Sequence, residues 1–334
     1  MIKPSLAPVP PEKNARKKYN ANSLVAVTKR MSLFFAAAVA AGSISWAVNA
    51  GQMRLENFLY AQISEPIDKI TYTAPKNPSL PELDMDAKAV YSLRINPAGR
   101  ERVIFEKNIE GVLSIASLTK LMAAIVVLEN PAFYAMDKTV IVDSAAAGQD
   151  DVPVAGNLRA GETASVRQLL GMMLHYSSND AAYALSEIMG TDEFVAAMNR
   201  KAADLGLGDT EFYNPSGLDR DSGESNHSSA GDLMALAKFI MQSRGEIFSY
   251  TVGEGDYATQ NGIFDINLWD GQKLVGGKTG YTEKAGGCMI YVYEIGNGSR
   301  YVNIVLGSTS SETRVVQMQK LINCASNGEK TAAN

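Results

Sequence analysis

Three short strings in this 334-residue chain hold side chains that can do chemistry together. The first is Ser117-Leu118-Thr119-Lys120. A serine hydroxyl is a poor nucleophile until a base takes its proton. If Ser117 opens a helix, Lys120 stands one turn on and on the same face, within reach of that hydroxyl. A lysine can be the base only when uncharged, a form that burial or a nearby cation favours. A helix N-terminus also directs N–H groups towards developing negative charge. The second string, Ser177-Ser178-Asn179, falls between two helical runs and reads as a loop projecting into a cleft. Its hydroxyl can relay a proton to a leaving amine, and its amide can hold substrate backbone and the lysine. The third is Lys278-Thr279-Gly280 followed by Tyr281, with Gly276 and Gly277 just before it. Glycine in a strand marks close approach of another backbone, as when a substrate peptide lies along an edge strand. Lys278 and Thr279 offer a cation and a hydroxyl, a pair suited to a carboxylate.

Taken singly, each string has an ordinary structural use. Ser117 can cap a helix, Asn179 can close an Asx turn, and Lys120 and Lys278 can sit in water. A Ser and a Lys three apart should occur about once by chance in a chain of this size, while Lys-Thr-Gly occurs in about one chain in ten. What argues against coincidence is the order: helix start, inter-helix loop, then Gly-flanked strand. The remaining candidates are weaker. His175 and His227 are read as packing or hydrogen-bonding residues, Asp150-Asp151 as a solvated loop, and Tyr176 and Tyr281 as cleft walls or core.

The surrounding pattern supplies elements for these positions. Ala87 to Arg94 and Val103 to Glu106 flank the turn cluster Asn96-Pro97-Ala98-Gly99 and predict a hairpin. Ser117 to Glu129 predicts a helix, with Leu118, Leu121, Met122, Ile125 and Val126 at helical spacing and Pro131 beyond its end. Further helices are expected over 166–174, 181–189, 192–205 and 230–241. Strands are expected over 287–295 and 300–307, around Gly296-Asn297-Gly298, and an amphipathic helix over 312–324. Strands from both ends of the chain should therefore meet in one mostly antiparallel sheet, flanked by helices and with an all-helical insert between them, an α/β (α+β) architecture.

Composition narrows the function. With 46% hydrophobic and 20% charged residues the chain is not disordered. Of 31 basic and 36 acidic residues, the first 30 positions hold seven and one, which leaves 24 and 35, a balance of −11, in the rest. So acidic a body argues against nucleic acid as a partner. Two Cys and two His exclude a zinc ribbon, a disulfide scaffold and any site needing three His. Met31 to Ala50 is uncharged, about the length that spans a bilayer, and comes directly after the basic segment 1–30. The positive-inside rule keeps 1–30 in the cytoplasm and exports the chain beyond residue 50. Residues 31–50 are expected as a retained transmembrane anchor, with a signal peptide cleaved after Val48-Asn49-Ala50 as the alternative. The domain reading is a basic tail over 1–30, the anchor over 31–50, a linker with a Pro-punctuated stalk over 51–86, a catalytic domain over 87–326 and a polar tail over 327–334. An oxidising compartment would permit a Cys288–Cys324 bridge; the alternative is two small buried hydrophobes.

The three strings resemble the motifs of the penicillin-binding serine peptidases and serine β-lactamases. The residues around them are similar to those of the low-molecular-mass D-alanyl-D-alanine carboxypeptidases: Ile115 to Met122 (IASLTKLM), Leu174 to Ala182 (LHYSSNDAA), Asn214 to Asp219 (NPSGLD) and Gly276 to Gly287 (GGKTGYTEKAGG). The resemblance covers roughly 87–324 and implies a β-lactamase/transpeptidase-like fold. It implies that Ser117 forms an acyl-enzyme with a peptidoglycan stem peptide ending in D-Ala-D-Ala, with Lys120 as base. Ser177 would pass a proton to the departing D-Ala and Asn179 would orient the substrate. Lys278 and Thr279 would bind the terminal carboxylate, and the N–H groups of Ser117 and Tyr281, beside Gly280, would form the oxyanion hole. No metal or organic cofactor is implied, and β-lactams are the expected covalent inhibitors. Lys120 and Lys278 should each disfavour the other's charge. Two departures stand out: Ser114 occupies the place of a usual Pro before Ile115, and no Arg in the sequence can be assigned to the carboxylate. The alternatives are a peptidoglycan DD-endopeptidase, a β-lactamase, weakened by the absence of a suitably placed Glu-x-x-x-Asn string, and a catalytically silent wall-binding protein.

Overall fold

Strands from the two ends of the described chain form one five-stranded antiparallel sheet. The computed structural model describes residues 82–149, 157–219, 223–252, 266–268 and 271–332. The chain divides into two units, Met1–Lys76 and Asn77–Asn334, and every described residue belongs to the second. The expected basic tail, membrane segment, most of the stalk and Asp150-Asp151 lie outside the described residues.

The sheet comprises β1 (Ala89–Ile95), β2 (Glu101–Lys107), β7 (Gln272–Thr282), β8 (Gly286–Ile295) and β9 (Arg300–Ser308), in the order β2-β1-β9-β8-β7. The β1–β2 and β8–β9 hairpins are closed by asparagine turns. Asn96 Oδ1 accepts from the N–H groups of Ala98 and Arg100, and Asn297 Oδ1 accepts from that of Ser299. Strand β8 reads as an unbroken apolar run because both of its faces are buried. Cys288, Ile290 and Val292 face one core, while Met289, Tyr291 and Tyr293 face the other. The second core is closed by α7 (Ser311–Ala332) through Met318, Leu321 and Ile322. Leu83 and Met85 pack against this same core, just before β1. Helix α7 runs on past Cys324 into the segment expected as a polar tail.

Between β2 and β7 lies the insert: α1 (Thr119–Glu129), α2 (Val166–His175), α3 (Asn179–Glu187), α4 (Thr191–Asp204), α5 (Ala230–Ser243) and α6 (Glu246–Val252). Caps set several starts. Ser165 and Gln168 form a capping box on α2, Ser178 caps α3 through the N–H of Ala181, and Ser229 caps α5 through that of Asp232. Two short ladders escape the periodicity argument, β3 (Leu113–Ser114) with β6 (His227–Ser228) and β4 (Thr139–Ile141) with β5 (Thr163–Ser165). They make the insert less than all-helical. Helix α1 also departs from its expected one-sided stripe. It is buried from Thr119 through Val127 on every face, as suits a helix at the centre of a domain. Each of its large aliphatic side chains contributes about 1.5–3 kcal/mol by burial, and the same packing takes Lys120 entirely out of water.

Candidate active site

Ser117 lies at the middle of a 3₁₀ turn, Ala116–Leu118, that leads into α1. It thus lies two residues before the α-helix that the spacing suggested it would open. The preceding residue, Ala116, has φ 47°, a left-handed conformation that costs a non-glycine residue about 1–3 kcal/mol. Two glycines let neighbouring segments press on this turn. A Cβ on Gly217 would stand 2.0 Å from the Ala116 carbonyl oxygen, and one on Gly280 would stand 2.9 Å from the Ser117 nitrogen. The close approach expected at the Gly-flanked strand is therefore made, at Gly280, by the chain's own nucleophile turn. Gly276 meets Phe248 in the same way.

Lys120, fully buried, places Nζ 2.8 Å from Ser117 Oγ, 2.7 Å from Asn179 Oδ1 and 2.7 Å from the Ser216 carbonyl oxygen. The last two can only accept hydrogen bonds. A neutral amine gives its two N–H groups to them and turns its lone pair on the third neighbour, the Ser117 hydroxyl. Burial, and then the charge of Lys278, hold Lys120 well below the ordinary lysine range. The environment thus favours the one protonation state in which lysine is a base.

Ser177 terminates the run of α2 with φ 64°, again left-handed and not glycine. The kink directs its Oγ to within 2.8 Å of Lys278 Nζ, which also donates to the Thr279 carbonyl at 2.9 Å. Asn179, the first residue of α3, is held in place by the Ser178 cap next to it. Lys278 is on β7, an edge strand of the sheet, and is 2% exposed. Burial first, then the Arg314 guanidinium, lower its amine to about 7. The expected mutual repulsion of the two lysines is thus felt by Lys120. The cation acting on Lys278 is Arg314.

Arg314 is the residue that sequence reasoning missed. It extends from the first turn of α7, donates from Nη1 to the Gly280 carbonyl at 2.7 Å, and its buried Nε has no hydrogen-bond partner among the described residues. The Arg314 guanidinium is thus hydrogen-bonded to β7 at Gly280, two residues on from Lys278. Tyr281, 49% exposed, follows at the strand's outer end. All eight residues singled out from the sequence, Ser117, Lys120, Ser177, Asn179, Lys278, Thr279, Gly280 and Tyr281, lie on the three segments brought together here.

The other candidates are occupied elsewhere. The His175 ring nitrogen Nδ1 is 3.3 Å from the Thr251 carbonyl, and burial lowers its pKa. His227 belongs to β6, with Nδ1 3.2 Å from the Ser225 carbonyl. Cys288 and Cys324 are free thiols, and burial pushes Cys288, opposite Gly280 in the sheet, up to about 11. Among the described residues, no group of three or more His, Cys, Asp or Glu is arranged to hold a metal ion. Among the same residues, no helix is long and apolar enough to cross a membrane.

Known proteins resemble this chain in sequence and in fold. A sequence profile described as D-alanyl-D-alanine carboxypeptidase matches residues 78–310. The D-alanyl-D-alanine carboxypeptidase DacF of Bacillus subtilis is 31% identical over 238 residues, covering 67% of this chain and 59% of that protein. A D-alanyl-D-alanine endopeptidase of Pseudomonas aeruginosa is 28% identical over 245 residues, covering 69% of this chain and 75% of the relative. The crystal structure of penicillin-binding protein D2 from Listeria monocytogenes in its cefotaxime-bound form superposes with a TM-score of 0.60 at 31% identity, over 73% of this chain and 98% of that one. The chain spans 55–59% of the length of the first curated carboxypeptidases it matches. With the profile spanning most of the sequence and the fold agreeing, the chain belongs to the D-alanyl-D-alanine carboxypeptidase family of serine peptidases.

Proposed function

We propose that this protein removes the terminal D-Ala from peptidoglycan stem peptides through an acyl-enzyme on Ser117. The observation that carries the reading is the buried Lys120 amine, 2.8 Å from Ser117 Oγ, with its other two neighbours restricted to accepting hydrogen bonds. Lys120 takes the serine proton as Oγ attacks the carbonyl carbon of the penultimate D-Ala. The oxyanion is met by the N–H groups of Ser117 and Tyr281. Ser177, hydrogen-bonded to Lys278, gives its proton to the departing amine and takes up the one held by Lys120, and Asn179 steadies both Lys120 and the substrate. Lys278, Thr279 and Arg314 hold the terminal carboxylate. Water then hydrolyses the ester and restores Ser117. A β-lactam enters by the same attack on its strained amide and leaves an ester on Ser117. Residues 31–50 are read as the membrane anchor, with the catalytic domain outside the cytoplasm. The support is the charge asymmetry around that uncharged run.

Three groups gathered for a free carboxylate favour cleavage at a chain end. The test is product analysis on defined muropeptides. The expected result is release of free D-Ala from monomeric pentapeptides, with cross-linked dimers cleaved far more slowly. Preferential cleavage of the dimers would transfer the same chemistry to a DD-endopeptidase, the activity named for the Pseudomonas relative.

The two lysines also set the pH dependence. Lys278 must be charged to hold a carboxylate, and in the free enzyme that charge is lost as pH rises through about 7. Lys120 must be neutral, which sets the acidic limb. The ratio kcat/KM, which reports the free enzyme, should therefore fall above about pH 7. A bound carboxylate favours the Lys278 cation, so the alkaline limb of kcat should lie at higher pH. Coincident alkaline limbs in the two profiles would remove Lys278 from carboxylate binding.

A further inference from the structure

The stretch Asn214 to Asp219 contributes only a backbone atom to the chemistry above, yet its turn is held by a dense set of hydrogen bonds. Asn214 Oδ1 accepts from the N–H groups of Ser216 at 3.1 Å and Gly217 at 2.7 Å and from Ser216 Oγ at 3.2 Å, while its Nδ2 donates to the Leu218 carbonyl at 2.7 Å. Asn226 grips the same turn from outside. Its Oδ1 accepts from the N–H groups of Tyr213 and Asn214, and its Nδ2 donates to the Asn214 carbonyl at 2.9 Å and to Thr119 Oγ1 at 3.0 Å. The Asn226 carbonyl also accepts from the Ile115 N–H, two residues before Ser117. Asn214, Ser216 and Asn226 are all buried. At Gly217, φ 91° and the absence of a side chain let the turn lie directly on the Ala116 carbonyl. A satisfied buried network of this kind rigidifies the groups it holds. The group held here is the Ser216 carbonyl, 2.7 Å from Lys120 Nζ.

We propose that Asn214, clamped by Asn226, is a positioning residue that fixes the Ser216 carbonyl against Lys120 and so keeps the amine lone pair directed at Ser117. The proposal rests on the reading of Lys120 as the base. A neutral amine has two N–H groups to place. With Asn179 Oδ1 and a fixed Ser216 carbonyl taking both, one orientation remains for the lone pair. If the turn relaxes, one acceptor is lost and the amine rotates. Water can then enter beside a group whose uncharged form depends chiefly on being dry.

The test is the rate of acylation by a fluorescent penicillin across pH, expressed per labelled site, for the full-length wild type, Asn214→Ala and Asn214→Ser. Serine can close the same turn, more weakly. Asn214→Ala should acylate about 10- to 100-fold more slowly at neutral pH. The acidic limb of its rate profile should move up by about one pH unit as water reaches the lysine. Asn214→Ser should fall between alanine and wild type in both respects. If Asn214→Ala yields too little folded protein, the intermediate shift in Asn214→Ser carries the test. A fall in labelled sites with the per-site rate and the limb unchanged would show a purely structural role and overturn the proposal. A wild type that forms no adduct would instead refute the reading of Ser117 and Lys120 on which it rests.

Discussion

Ser117→Ala is expected to give a folded protein that forms no adduct with labelled penicillin and releases no D-Ala. The hydroxyl is the only atom lost, and it lies in a half-buried turn whose shape is set by Gly217 and Gly280 rather than by the serine side chain. Lys120 keeps its hydrogen bonds to Asn179 and Ser216. The stability change should therefore stay near ~1 kcal/mol, the usual net worth of one hydrogen bond. Catalysis should fall by roughly 10⁶, as loss of a serine nucleophile does where the surrounding groups remain. A thermal melt beside a gel of the labelled protein separates the two effects. An adduct that persists in Ser117→Ala would mean that another nucleophile reacts.

The second large effect is expected at Lys120. Lys120→Ala removes the base and also leaves two buried acceptors, Asn179 Oδ1 and the Ser216 carbonyl, facing the vacated space. A buried carbonyl left unsatisfied, as that of Ser216 would be, costs about 1–3 kcal/mol unless water enters to bind it. Loss of general-base assistance should slow acylation about 10²–10⁴-fold or more. Because Ser117 is still present, the adduct should accumulate slowly to near-full occupancy, which distinguishes this variant from Ser117→Ala. Stopped-time labelling gives the rate and mass spectrometry the final occupancy. Acylation at the wild-type rate would disprove the assignment of Lys120 as base.

Much of this site was legible in the sequence because its side chains are contiguous in three short strings. Ser117 and Lys120 are within one helical turn of each other. Ser177 and Asn179 flank a helix cap, and Lys278 to Tyr281 share a strand. Arg314 was not legible. It lies 34 residues beyond Gly280 in the chain and returns only because β8 and β9 fold back to set the start of α7 against β7. The Ser216 carbonyl was equally hidden, since a backbone oxygen has no residue type to signal it. The fold divides in the same way. The hairpins around Asn96 and Asn297 were readable from their turn chemistry, and the capped helices from their period. The ladders β3–β6 and β4–β5 are two or three residues long, too short for alternation to show. Helix α1 looked one-sided because Thr119 and Lys120 are polar types, yet packing buries both. That mismatch between residue type and burial at Lys120 is the physical origin of the chemistry assigned to it.

The central claim is that Ser117 is the acylated oxygen, made reactive by a neutral lysine. Peptide mapping by mass spectrometry after brief treatment of the intact protein with benzylpenicillin tests it most directly. The expected result is one penicilloyl group per chain, on the peptide containing Ser117 and on no other. An unmodified Ser117 peptide, with the label absent or carried by a different residue, would contradict it.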